Sequence, residues 1–189
     1  MHQKDSIATK RTYMLLKDQM FTLLSESSFE KLTLTEICNA SMIPRSTFYR
    51  YFEDKYDLLR YCLQSMTEDM RLTEDVICFK SMESIQDFLL ILIHHIAGNR
   101  DQYQKIYLAN KDGILMEILR RDLKQILTEK LQHAQESGLQ LKISMPIFTT
   151  LLTDFYFDIV TCYLELEHQL SIEEFVENVC LFADKDFFQ

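Results

Sequence analysis

Apolar side chains return along this chain every third or fourth residue, in block after block, and that spacing predicts helices. The first block covers residues 10–26, with Tyr13, Leu16, Met20, Leu23 and Leu24 in one row. Two short blocks follow, at 33–40 and 45–51, and a longer one at 54–70 opens on Asp54, a good N-cap. After a linker at 72–80 comes 84–97, where IQDFLLILIHHIA is apolar on nearly every side and is expected to lie inside the body,. A short helix at 101–108 precedes a long one at 113–136, whose stripe is Leu115, Ile118, Leu119, Leu123, Ile126, Leu127 and Leu131. The last two blocks, 146–166 and 172–183, are apolar on more than one side, and Ser171 caps the second of them. Three Gly and two Pro in 189 residues are too few for a turn-rich β fold, and all five fall near helix ends,. The pattern therefore predicts an all-α chain of about nine helices.

The stretch 33–55, TLTEICNASMIPRSTFYRYFEDK, carries the most information. Thr33 and Glu36 have the spacing of a capping box, in which hydroxyl and carboxylate each satisfy the other residue's amide. Ile37 and Ala40 then face inward. Ser41, Met42 and Ile43 are long enough only for a turn, and Pro44 suits the first position of the next helix. In that helix Phe48 and Phe52 share a buried face, leaving Arg45, Ser46, Thr47, Tyr49 and Arg50 outside. Two short helices joined this way form a helix-turn-helix, whose second helix lies in the DNA major groove. The outward set suits that role, since Arg forks onto a guanine edge, and Ser and Thr meet bases or phosphates.

The segment TEICNASMIPRSTFYRYFEDKYDLL resembles the DNA-binding segment of the TetR family (TetR/AcrR type) of bacterial transcriptional regulators. The matching pieces are the T-x-x-E-I entry at 33–37, Thr47-Phe48-Tyr49-Arg50-Tyr51-Phe52, and Lys55 with Leu58-Leu59. Met42 stands where that family usually has Gly, which takes a left-handed backbone more cheaply. Pro44 stands where it often has Ser. The resemblance implies a helix-turn-helix head at 1–60 and a helical effector-binding and dimerisation body at 61–189, joined by the helix at 54–70. It implies that Pro44, Arg45, Ser46 and Thr47 meet bases, and that Thr33, Thr35, Tyr49, Tyr51 and Lys55 hold phosphates. Lys55 in particular would sit at a helix N-terminus, where the dipole favours an anion.

Net charge is −9, which is unusual for a DNA binder until the chain is divided. Residues 1–60 hold nine Lys/Arg against eight Asp/Glu, and the remainder holds eleven against twenty-one. Only the N-terminal face is then expected to meet DNA. The polar residues 1–9, with Lys4 and then Lys10 and Arg11 nearby, read as a frayed basic arm. The five scattered Cys form no CxxC pair and read as reduced, buried thiols of a cytoplasmic protein,. The apolar run 88–93 is far too short to span a bilayer.

No catalytic constellation or glycine-rich phosphate cradle is present, so no enzyme activity and no cofactor are expected. His94 and His95 are adjacent on a helix and point about 100° apart, so they do not grip one metal ion together. No metal site is expected. The body offers an effector pocket at His94, Tyr107, Phe155 and Tyr156, within an aromatic and polar mixture that equally suits a dimer interface. Similar helices in TetR-like proteins form a four-helix dimer interface, which here implicates Leu152, Phe155, Ile159, Phe175, Val179 and Phe182. The expectation is a homodimeric repressor on a palindromic operator, released by an effector in the body. The alternative is a co-regulator whose body binds a partner protein instead of a small molecule.

Overall fold

A computed structural model of the chain describes residues 7–69, 82–138, 140–166 and 170–184. Among them are nine helices and no strand. They are α1 (Ile7–Glu26), α2 (Leu34–Ala40), α3 (Arg45–Phe48), α4 (Lys55–Asp69), α5 (Met82–Ala97), α6 (Arg100–Asn110), α7 (Ile114–Glu136), α8 (Met145–Glu165) and α9 (Ile172–Asp184). The fold is all-α, and each helix lies within a few residues of the block its periodicity predicts. The linker at 72–80, Cys78 and most of the N-terminal arm lie outside the described residues. Ile7, Ala8 and Thr9 belong to α1, which begins three residues before the block at 10–26.

The chain divides into two compact units. The first comprises the chain to Ser65 together with Asp101–Leu119; the second comprises Met66–Arg100 and the chain from Arg120. The first unit therefore includes α6 and the opening of α7, which no sequence pattern connects to the head.

In the first unit Leu16, Met20 and Leu24 recur at four-residue steps on α1 and are almost wholly buried. They pack in one core with Ile37, Ile43, Phe48, Phe52, Leu58, Leu59 and Cys62, and with Ile106, Leu115 and Ile118 from the later segment. Tyr13 extends this core as an aromatic cluster, with ring centroids 5.3 Å from Tyr51, 5.4 Å from Phe52 and 4.8 Å from Tyr61. Such contacts contribute beyond simple area burial. Burial pushes the Cys62 thiol up to about 12,, so it stays a neutral core group.

The second unit is built around α5, with Phe88, Leu89, Leu92, Ile93 and Ile96 buried. Its outer side is not apolar throughout as expected: Gln86, Asp87 and His94 are exposed. Phe88 stacks on Tyr156 of α8 at 4.3 Å, and Tyr163 of α8 meets Phe175 of α9 edge-on at 5.2 Å. Arg100 donates to the carbonyls of Tyr163, at 3.0 Å, and Leu166, closing the C-terminus of α8,. Ser171 and Glu174 cap α9 reciprocally, with the Ser171 amide 2.8 Å from the carboxylate,. The carboxylate of Glu174 is held below its ordinary range by those bonds. By length and composition α8 is apolar enough to cross a membrane, a feature that the run at 88–93 does not convey. Here its row Leu152, Tyr156, Ile159 and Tyr163 is buried within the second unit.

Candidate nucleic-acid interface

The capping box at Thr33 forms as the spacing predicts. The Thr33 hydroxyl accepts from the Glu36 amide at 3.3 Å, while the Glu36 carboxylate accepts from the Thr33 amide and hydroxyl at 2.7 Å each. These bonds hold the Glu36 carboxyl below the usual carboxylate range,. They also occupy both Thr33 donors, the groups expected to meet a phosphate, so in this structure Thr33 fixes the start of α2.

The turn that follows is a Schellman ending. The Ile43 amide donates to Cys38 at 3.0 Å and the Met42 amide to Asn39 at 3.1 Å,. Met42 carries the left-handed backbone this requires, with φ of 53°, and its side chain is 91% exposed. Pro44 stands at the N-cap of α3, one residue earlier than expected, with φ of −59°. Its carbonyl accepts from the Thr47 and Phe48 amides at 2.9 and 3.0 Å. Past Phe48 the backbone continues in turns, with the Tyr51 amide donating to Phe48 at 2.9 Å, so the expected helix at 45–51 is regular only in its first half.

This geometry sorts the side chains. Phe48 and Phe52 are buried in the core, which fixes the rotation of α3. Pro44, Arg45, Ser46, Tyr49 and Arg50 are exposed, and Thr47 and Tyr51 are half-buried. The Arg45 guanidinium donates through Nη2 to the Thr35 hydroxyl. Arg50 lies over the Tyr51 ring at 5.8 Å.

Lys55 departs from expectation. Its ammonium donates to the carbonyls of Phe29 at 2.8 Å and Leu32 at 2.7 Å, and sits over the Phe29 ring at 4.5 Å. Burial pushes its pKa down, against the pull of Glu30, Asp54 and Glu36,. Asp54 meanwhile takes the Tyr56 and Asp57 amides at 2.8 and 2.9 Å. Both parts of the expected phosphate site at this helix start are thus occupied internally. Lys55 instead satisfies carbonyls of the α1–α2 connection, because its flexible stem reaches back across the turn.

That connection is gripped from a second side. The buried Asn110 accepts from the Phe29 amide at 2.7 Å and donates to Leu24 at 3.1 Å and Ile106 at 2.8 Å. The Glu30 carboxylate accepts from the Ile114 amide at the start of α7, and this bond above all lowers its pKa. A Cβ on Gly113 would stand 2.6 Å from that carboxylate. Nothing in the local sequence marks Asn110, Gly113 and Glu30 as partners, because 80 or more residues separate the two sides.

The residues expected to line an effector pocket are differently placed. His94 faces solvent with its side chain 56% exposed, 4.0 Å from Glu173. Tyr156 is committed to the stack on Phe88. Phe155 is half-buried, and the half-buried Tyr107 belongs to the first unit. Of the expected dimer residues, Leu152, Ile159 and Phe175 are buried inside the protomer. A helix apolar on two faces does not declare which face its own protomer covers. The exposed apolar positions are Ile147 and Leu151 on α8, at 57% and 61%, and Leu181 and Phe182 on α9. Ile147, Leu151 and the exposed Cys162 follow one face of α8, so not every thiol is buried.

Residues 19–62 match the family model of bacterial regulatory proteins, tetR family. A curated relative, the HTH-type dhaKLM operon transcriptional activator DhaS of Lactococcus lactis subsp. lactis (strain IL1403), is 24% identical over 112 residues. That alignment spans 59% of this chain and 56% of the relative's length. Among solved structures, a TetR-family regulator from Syntrophomonas wolfei aligns over 93% of this chain and 94% of its own, with TM-score 0.64 and 16% identity. A TetR transcriptional regulator from Streptococcus agalactiae 2603V aligns over 92% and 93%, with TM-score 0.56 and 16% identity. These structures share the all-α fold.

Proposed function

We propose that this chain is a TetR-family regulator of transcription, cytoplasmic and sequence-specific, binding a palindromic operator as a homodimer; the match of residues 19–62 to the tetR family model supports this reading. The observation that carries this is the division of α3 and its following turns, with Phe48 and Phe52 anchored in the core and Arg45, Ser46, Tyr49 and Arg50 exposed. Pro44, Arg45, Ser46 and Thr47 meet base edges, with Arg45 supplying the fork suited to guanine. Thr35, Tyr49 and Tyr51 hold phosphates and set the register. The DNA-binding head is built on residues 1–60, whose core also takes in Ile106, Leu115 and Ile118, and effector binding and dimerisation fall to the remainder of 61–189. Dimerisation uses the exposed faces of α8 and α9, and each head reads one half-site, roughly 34–36 Å from the other as in helix-turn-helix dimers generally.

The regulator acts as a repressor that an effector in the body releases, since a ligand with different affinity for the two states shifts their balance. Activation is the second reading, favoured by the relative described as a transcriptional activator. The alternative for the body is that of a co-regulator, which binds a partner protein instead of a small molecule. Selection of bound fragments from host genomic DNA at moderate salt tests the proposal. A retained palindrome supports it, and retention that is salt-sensitive but without a motif refutes it. Transcription from the recovered promoter with and without the protein then separates repression from activation.

A further inference from the structure

Arg45 stands at the first position of α3, exposed, and carries the longest reach of any side chain on that helix. A free arginine on a surface samples many rotamers, and ordering it on a base costs about 2 kcal/mol of side-chain entropy. Here it is not free. One Nη2 hydrogen is given to the hydroxyl oxygen of Thr35, ten residues earlier on α2. A guanidinium has five N–H donors in a fixed plane, so this bond leaves at least one N–H on each terminal nitrogen for a guanine edge. The anchoring oxygen is itself well placed to hold a direction. Thr35 is β-branched, which restricts its χ1, and it sits in the first turn of a helix whose start is fixed by Thr33 and Glu36. The Phe48 anchor in the core fixes the Arg45 end.

We propose that Thr35 is a positioning residue for base recognition: it holds the Arg45 guanidinium in the orientation that reads DNA, and so contributes to sequence preference without touching a base. The proposal rests on the DNA-binding function above and deepens it. The Thr35 hydroxyl accepts from Arg45 and keeps its own hydrogen for a phosphate oxygen. One side chain thereby couples the backbone contact that sets register to the side chain that reads sequence. Preorganisation of this kind lowers the cost of ordering at the moment of binding.

The test uses the full-length protein and the operator obtained by selection. Binding is measured at moderate salt to that operator and to its single-base variants, for wild type and for Thr35→Val, Thr35→Ser, Arg45→Ala and the Thr35→Val/Arg45→Ala pair. The base pair read by Arg45 is the one whose preference disappears in Arg45→Ala. Thr35→Val is expected to lower discrimination at that pair by about fivefold to tenfold while preferences elsewhere stand. Thr35→Ser, which keeps the hydroxyl, is expected to retain discrimination within about twofold of wild type. In the Arg45→Ala background Thr35→Val is expected to leave base preferences unchanged. Thermal melting of each variant verifies that the head remains folded. A uniform loss of affinity across all sequences, with discrimination at the Arg45 base pair intact, makes Thr35 a phosphate ligand only and overturns the proposal. So does unchanged discrimination in Thr35→Val. A wild-type protein that selects no motif defeats the DNA-binding function itself, a result distinct from either.

Discussion

Two residues of the helix-turn-helix show how chemistry and conformation trade places. Met42 holds a left-handed backbone where an L residue costs about 1–2 kcal/mol,, and its exposed side chain recovers little by packing. Met42→Gly is therefore expected to raise stability by about 0.5–1 kcal/mol, after allowance for glycine's looser unfolded chain. Chemical denaturation measures it, and a loss of stability would show that the thioether makes contacts worth more than the strain. Lys55 illustrates the reverse. Its position suggests a phosphate ligand, yet its ammonium is spent on Phe29 and Leu32. Lys55→Ala is expected to cost about 1–3 kcal/mol of folding stability by leaving those carbonyls without a charged donor. The salt dependence of DNA binding should stay as in wild type, and a slope reduced by about one unit would restore a phosphate role to Lys55. The Met42 turn was legible in the sequence because 41–43 is too short for anything else before Pro44, and the resemblance puts Gly at the position that Met42 holds. The occupation of Lys55 was not, because its partners are backbone carbonyls that have no letter of their own.

At the scale of elements, what can be read from sequence follows the range of the interaction. The Thr33–Glu36 box, the Asp54 cap and the Ser171 cap are bonds across two or three residues, and each stands where its spacing places it. The nine helices follow likewise from local periodicity. The grip of the α6–α7 turn on the α1–α2 connection is set by tertiary packing and leaves no local signal. Glu30 reports on that grip. Its pKa is depressed chiefly by the Ile114 amide, so its contribution to stability is fully present above the ordinary value of 4.5 and is lost as pH falls through the lower folded value. Glu30→Gln should flatten the acid limb of a stability–pH curve, and an unchanged limb would mean the bond is not maintained in solution. Gly113→Ala places a methyl against the same carboxylate and is expected to cost about 1 kcal/mol,. In a Glu30→Ala background that cost should vanish, which a double-mutant cycle measures.

Across the whole molecule, the two-sided apolar character of the helix limits what any single sequence discloses about α8. Both of its sides are apolar, and only the fold shows that Leu152 and Ile159 turn inward while Ile147 and Leu151 turn outward. Leu151→Glu is therefore expected to weaken self-association, read as a shift from dimer to monomer in sedimentation with the helical signal unchanged, whereas Leu152→Glu should unfold the body. A dimer unaffected by Leu151→Glu would move the interface elsewhere. With the acidic excess lying beyond residue 60, the proposed DNA contact falls to the head,. That head, however, is not a cassette. Residues 101–119 supply Ile106, Leu115 and Ile118 to its core, and Asn110 to its first turn. A chimaera that grafts only residues 1–60 onto another regulator's body would strip away a buried side of the graft, and a transplant meant to move operator choice between proteins must carry both segments of the chain.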